Sequence, residues 1–163
     1  MEDNRQENFR KIKELIEEVK IVMLCTSHED FLRSRPMSTA QVDDNGNIWF
    51  FTNEHSGKAE EVETNHQICL AYSSPSKNTY VSISGEAVIV NDRAKMKELY
   101  NQAIKAWFPK DLDDPKLALL KVTPQQAEYW DSSSSTMVSL FHIAKAIITS
   151  EKYEEGQHGK IEL

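Results

Sequence analysis

Along this chain the spacing of apolar residues switches between helical and strand periods, and the switches mark its elements. Phe9, Ile12, Leu15, Ile16 and Val19 recur every three or four residues, which predicts an amphipathic helix over residues 6–19 lying on a larger body. The β-rich run "KIVMLCT" begins the first strand, and "SHEDFLRS" reads as the loop that follows it. "RPMSTAQV" and "NIWFFT" flank "DDNGN", whose Asn-Gly pair supplies the positive φ values of a tight turn, so the two runs are predicted to form a hairpin. "QICLAYS" and "TYVSISGEAVIV" flank a second polar turn, "SPSKN". Val81, Ile83, Ala87 and Ile89 keep a two-residue period through the latter run, and Gly85 marks a bend, a bulge or a close approach of backbone. The last long strand is "LALLKVTPQQAEYW", interrupted near Pro124 because proline cannot donate to a sheet ladder.

Three further helices punctuate these strands. Residues 56–64 make a short charged one, and "DRAKMKELYNQAIKAWF" places Met96, Leu99, Tyr100, Ala103 and Trp107 on one stripe. "MVSLFHIAKAII" predicts a C-terminal helix over 137–148, followed by a polar tail whose Gly156 and Gly159 suggest fraying. Antiparallel strands joined by short hairpins, with helices around them, describe a mainly β protein. We expect a six-stranded antiparallel β-barrel, since closure removes the edges that an open sheet exposes. A doubly wound α/β sheet fits less well, because the alternation of polar and apolar positions suits half-buried antiparallel strands.

The length of 163 residues fits a single domain spanning 1–163, large enough for one sizeable core and one cofactor-sized site. The net charge of −7 is spread along the chain, which argues against a phosphate-tracking nucleic-acid surface yet leaves room for a local basic pocket. No segment of signal type opens the chain, and no window reaches the roughly 20 apolar residues of a membrane span. A cytoplasmic protein with no membrane partner is the expectation. Cys25 and Cys69 both sit in apolar strand-like runs and read as free buried thiols. His28, His55, His66, His142 and His158 include no pair at i,i+4 and no accompanying cysteine cluster, so no metal site is expected. "DLDDP" lacks the alternating ligands and glycine of a calcium loop and reads as a solvated turn. No catalytic acid, base or nucleophile can be assigned.

The chemistry concentrates where the strand "NIWFFT" runs into "NEHSGKA". Ser56 is placed to cap the following helix, with Gly57 first and Lys58 second within it. Helix N–H groups, the cap hydroxyl and a lysine together can hold a phosphate, and a glycine lets it approach closely. Read alone, the triplet more often marks an ordinary cap beside a surface lysine, and it lacks the glycine spacing of a P-loop. Arg33 and Arg35 in "RSRPM" precede the partner strand, and either could reach the same anion across the hairpin, with Arg35 the better candidate because Pro36 stiffens its backbone. Trp49 lies in a strand interior and reads as core. Trp107 and Trp130 suit either packing or the wall of a cofactor cleft or dimer interface.

These segments, "RSRPM", "NIWFFTNEHSGKA", "YVSISGEAVIVNDRAKMKELY", "AWFPKDLDDPKLALLKV" and "AEYWD", cover most of the chain in order. The chain resembles the pyridoxamine 5'-phosphate oxidase-like flavoproteins of split-barrel fold, and more closely their general stress protein 26 branch. The resemblance implies a homodimer with two flavin mononucleotide (FMN) sites in clefts at the subunit interface. The oxidase motif is similar to Tyr-Thr-Asn, two residues, then Ser-Arg-Lys; here Phe51 takes the tyrosine position, Thr52, Asn53, Ser56 and Lys58 match, and Gly57 replaces the arginine. Arg35 falls on the arginine opening the other phosphate-contacting segment, while the lysine five residues on has become Ala40.

The resemblance therefore implies cofactor binding by Arg35, Phe51, Thr52, Ser56 and Lys58, to which the residue reading adds Gly57, for close approach of the phosphate, and Trp107, as a candidate cleft wall. The glutamine expected before "VSISG" is Tyr80, and no segment matches the C-terminal Arg and His that grip pyridoxal phosphate. The implied activity is FMN-dependent oxidoreduction with a small-molecule redox partner, and pyridoxamine phosphate is not the expected substrate. Alternatives are a non-catalytic flavin-binding or sensing protein, or a deazaflavin-dependent reductase.

Overall fold

The computed structural model describes residues 2–108, 110–131 and 157–162. Helix α1 (Glu2–Ile16) leads into β1 (Ile21–His28), β2 (Phe31–Val42), β3 (Ile48–Asn53), α2 (Gly57–Thr64), β4 (Gln67–Ser74) and β5 (Thr79–Val90). Then come α3 (Arg93–Leu99), α4 (Gln102–Trp107), β6 (Leu117–Asp131) and β7 (Gln157–Glu162). All pairings are antiparallel in the order β3-β2-β1-β4-β5-β6, and β3 also pairs with β6. That last ladder closes a six-stranded barrel with peripheral helices. The C-terminal helix expected at 137–148 lies outside the described residues.

Alternation sets the barrel interior. Val22 and Leu24 of β1, Leu70 and Tyr72 of β4, and Val81 and Ile83 of β5 are buried, while their sequence neighbours face outward. Ile12 and Ile16 of α1 and Val62 of α2 join this core. The runs "IWFF" and "LALL" break the alternation because they pair with each other and are covered on both faces. Ile48, Phe50 and Leu120 point into the barrel, whereas Trp49, Leu117 and Leu119 pack outside it with Met96 and Leu99 of α3.

Several local expectations are corrected. Residues 27–34 are not a loop: β1 and β2 continue through them to a two-residue hairpin in which Glu29 takes φ 52°, and His28 faces Phe31. In "DDNGN" only Gly46 is left-handed, at φ 81°. The turn is instead organised by the Asp43 carboxylate, which accepts from the backbone N–H groups of Asn45 and Asn47 and from Trp49 Nε1. Burial alone would raise the Asp43 pKa, but these bonds outweigh it and hold the carboxyl below its ordinary value.

The helix predicted across residues 92–108 is two helices, because Tyr100 is extended (φ −61°, ψ 135°). Trp107 consequently leaves the buried stripe and is 75% exposed. Strand β6 is not interrupted at Pro124: the register shifts by one residue, with Gly85 opposite Pro124 and Ser84 opposite Gln126, so the proline sits at a bulge. The tail read as frayed contributes β7, which pairs with β6 from Gln126 to Asp131, beyond the stretch that pairs with β3.

At the bulge the backbones approach so closely that a Cβ on Gly85 would lie 2.4 Å from the Thr123 carbonyl oxygen. Gly85→Ala is expected to lower stability by about 1–3 kcal/mol in urea unfolding, because backbone rather than a flexible side chain must move.

Candidate functional site

The barrel is split on one side. Strand β2 pairs with β3 only through Thr39, Gln41 and Val42, so residues 31–38 are held by β1 along one edge alone. Strand β3 meanwhile continues against β6 to Asn53, and after three intervening residues α2 starts beside the opening. Ser56 caps α2 with extended backbone (φ −79°, ψ 153°), and its Oγ accepts from the Ala59 N–H at 3.4 Å. Arg33, Ser34 and Arg35 from β2 and Ser56, Gly57 and Lys58 from α2 line a cleft of about 450 Å³, with Glu61 on its wall.

Glu61 organises this cleft. Its side chain is only 2% exposed, and it accepts from Arg35 Nη2 at 2.6 Å, from Arg33 Nη1 at 3.1 Å and from the Thr26 hydroxyl at 2.5 Å. Arg35 Nη2 also donates to Thr26 Oγ1 at 2.9 Å. Burial alone would raise the Glu61 pKa. The bonds from Thr26 and Arg35, together with the charges of Arg35 and Arg33, outweigh it and hold the carboxyl below 4.5. Burial, and secondarily the Arg35 charge, push Lys58 below its ordinary 10.5. Three cations against one carboxylate leave an excess of positive charge, the electrostatic complement of a dianion.

A second, largely apolar cavity of about 260 Å³ adjoins the first, and Lys58 lines both. Its walls are Pro36, Met37 and Ala40 of β2, Phe51 of β3, and Ile104, Trp107 and Phe108 from α4 and its end.

Of the residues singled out from the sequence, Arg35, Ser56, Gly57 and Lys58 meet in the first cavity, and Phe51, Lys58 and Trp107 meet in the second. Thr52 lines neither. It is buried, with its backbone opposite Ala118, and its hydroxyl lacks a hydrogen-bond partner among the described residues. Arg35 Nη1 is likewise buried and unpartnered among them. A Cβ on Gly57 would meet nothing within 4 Å, so packing within the chain does not demand glycine there. Sequence reasoning missed Glu61, Thr26 and the apolar wall from Met37, Ile104 and Phe108. Among the described residues no group of three or more His, Cys, Asp or Glu could hold a metal ion, and no helix is long and apolar enough to cross a membrane.

Because its folded-state pKa lies below 4.5, Glu61 contributes stability that is present above that value and is lost as pH falls through the folded pKa. Glu61→Gln is expected to cost about 1–3 kcal/mol at pH 7, with the deficit shrinking in acid. Urea unfolding at both pH values checks this, and a deficit unchanged in acid would contradict the charged role.

Comparison with known proteins gives a consistent result. A family model described as pyridoxamine 5'-phosphate oxidase like matches residues 7–154. General stress protein 26 of Bacillus subtilis is 28% identical over 140 residues, covering 84% of this chain and 98% of that protein. Protein bli-3 of Neurospora crassa is 29% identical over 144 residues, covering 81% of this chain and 68% of that one. Among solved structures, the general stress FMN/FAD binding protein of Xanthomonas citri superposes with a TM-score of 0.67 at 27% identity, covering 83% of this chain and 93% of that one.

Proposed function

The chain belongs to the pyridoxamine 5'-phosphate oxidase like family, in its general stress protein 26 branch, and we propose that it binds FMN and acts as a flavin-dependent oxidoreductase of the general stress response in the cytoplasm. The observation that carries this reading is that Lys58 lines both a cationic cavity and an apolar one. A phosphate monoester carries a charge of about −1.5 to −2 at neutral pH, which the cationic end complements. The apolar end offers Phe51, Met37 and Trp107 to a flat ring.

The residues fit the group. Arg35 holds a buried donor, Nη1, with no partner among the described residues, and the space beside Gly57 is open. Arg35, Lys58 and the Ser56 hydroxyl would hold the phosphate, together with the first N–H groups of α2, which a helix leaves without intrahelical partners. Arg33, half exposed in the same cleft, takes part of the work of the arginine that Gly57 replaces. Phe51 and Trp107 would flank the ring, while Thr52 offers backbone only, its side chain being buried away from both cavities. When bound, FMN supplies hydride or single-electron transfer, and the protein's part is to anchor, orient and shield it. Two copies with the clefts at their interface is the assembly proposed. Exposed Ile21 and Trp107, both on the apolar cavity, are suited to being covered by it.

Purified protein is expected to take up FMN with the two visible flavin bands and a raised melting temperature; no uptake and no shift at saturating FMN would overturn the reading. Bleaching by a nicotinamide cofactor and reoxidation by an acceptor would separate an enzyme from a passive binder. Lys58→Ala should weaken FMN binding about 10- to 100-fold, the worth of one charge-assisted hydrogen bond. Gly57→Ala should leave the stability within about 1 kcal/mol of the parent, yet weaken binding by filling the approach.

A further inference from the structure

The two cysteines, 44 positions apart in a chain that has no others, are brought directly opposite each other on neighbouring strands: Cys25 of β1 is the register partner of Cys69 of β4. Val22, Leu24, Ile68, Leu70 and Tyr72 fill the barrel side of these strands, so both thiols lie on the outer face, where each is half buried. They are the centre of a polar row that crosses four strands, with Ser34 opposite Cys25 and Ser84 opposite Cys69. Cys25 Sγ donates to Ser34 Oγ at 3.3 Å, and Cys69 Sγ lies 3.5 Å from Ser82 Oγ. Both thiols are free. Directly opposed residues of antiparallel strands have Cα atoms about 4.5–5.5 Å apart, within the roughly 4.4–6.8 Å that disulfides span, so the backbone spacing permits the bond once the side chains rotate away from Ser34 and Ser82.

We propose that Cys25 and Cys69 form a reversible oxidation site, which a hydroperoxide converts into a cross-strand disulfide. One thiolate attacks the peroxide O–O bond and becomes a sulfenic acid while an alcohol, or water from hydrogen peroxide, departs. The second thiolate attacks that sulfur, the S–S bond forms and water leaves. Two electrons pass from the sulfurs to the peroxide, and two thiols plus ROOH give one disulfide, ROH and water. A thiol such as glutathione reverses the step by exchange. Because Ser34 lines the cationic cleft, oxidation removes the proton that Cys25 donates there, and the redox state of the pair reaches the cleft rim through one hydrogen bond. This site does not depend on the flavin reading.

The test treats the reduced, native full-length chain with hydrogen peroxide and equilibrates it with a glutathione couple, beside the same chain unfolded in urea. Peroxide should remove both alkylatable thiols, lower the mass by about 2 Da, and leave a single-chain band on a non-reducing gel. Cys25→Ser and Cys69→Ser should each abolish the mass loss. Against glutathione the native chain should favour the disulfide at least about tenfold over the unfolded chain, in which a long loop must close. Retention of both thiols, a disulfide-linked dimer, or equal oxidation of the unfolded chain would overturn the proposal.

Discussion

The six residue pairs between β3 and β6, from Ile48–Val122 to Asn53–Leu117, turn a curved sheet into a barrel, and most of the remaining architecture answers to that ladder. Closure places β3 and the first part of β6 between two cores, the barrel interior on one side and α3 on the other. Coverage on both faces explains why consecutive residues of these segments are buried, whereas in β1, β4 and β5 burial alternates from one residue to the next. It also limits β6. Its second half extends beyond β3, and β7 pairs with the edge left over.

Closing through β3 and β6 leaves β2 with more length than β3 can pair, and the unpaired part forms one lip of the split. The other lip is the start of α2. Burying Glu61 between them ties the lips together, since a carboxylate with a side chain 2% exposed needs cationic and hydroxyl partners, and Arg33, Arg35 and Thr26 provide them. The same contacts hold the two guanidinium groups at the cleft. One buried charge thus serves both the fold and the electrostatics of the candidate site.

Relative to the oxidase pattern the chain lacks two basic residues, and the geometry shows what stands in the cleft instead. Arg33 enters it and shares Glu61 with Arg35, and the position of Gly57 opens to empty space. The positive charge of the cleft therefore comes from two arginines on one strand and one lysine on one helix turn. Lys58 also lines the apolar cavity, so one lysine belongs to two kinds of surface.

Period-two alternation, paired turn signals and a Ser-Gly-Lys junction were local, and local features are what a sequence displays. They determined the antiparallel barrel, the α2 cap and the grouping of Ser56, Gly57 and Lys58. Tertiary structure decided the rest. With about 100° per residue, Glu60 and Glu61 lie some 130° on either side of the stripe formed by Ala59 and Val62, so the helix pattern could not choose between them. Only the arrival of Arg33, Arg35 and Thr26 from other strands buries Glu61 and leaves Glu60 in solvent. Likewise Pro124 reads as an interruption of the last strand until Gly85, 39 positions earlier, supplies the close approach that makes it a bulge. The break between α3 and α4, which exposes Trp107, is not visible in the apolar stripe that spans both. The facing of Cys25 and Cys69 belongs to the same class: register between distant strands is fixed by the whole barrel, not by either segment.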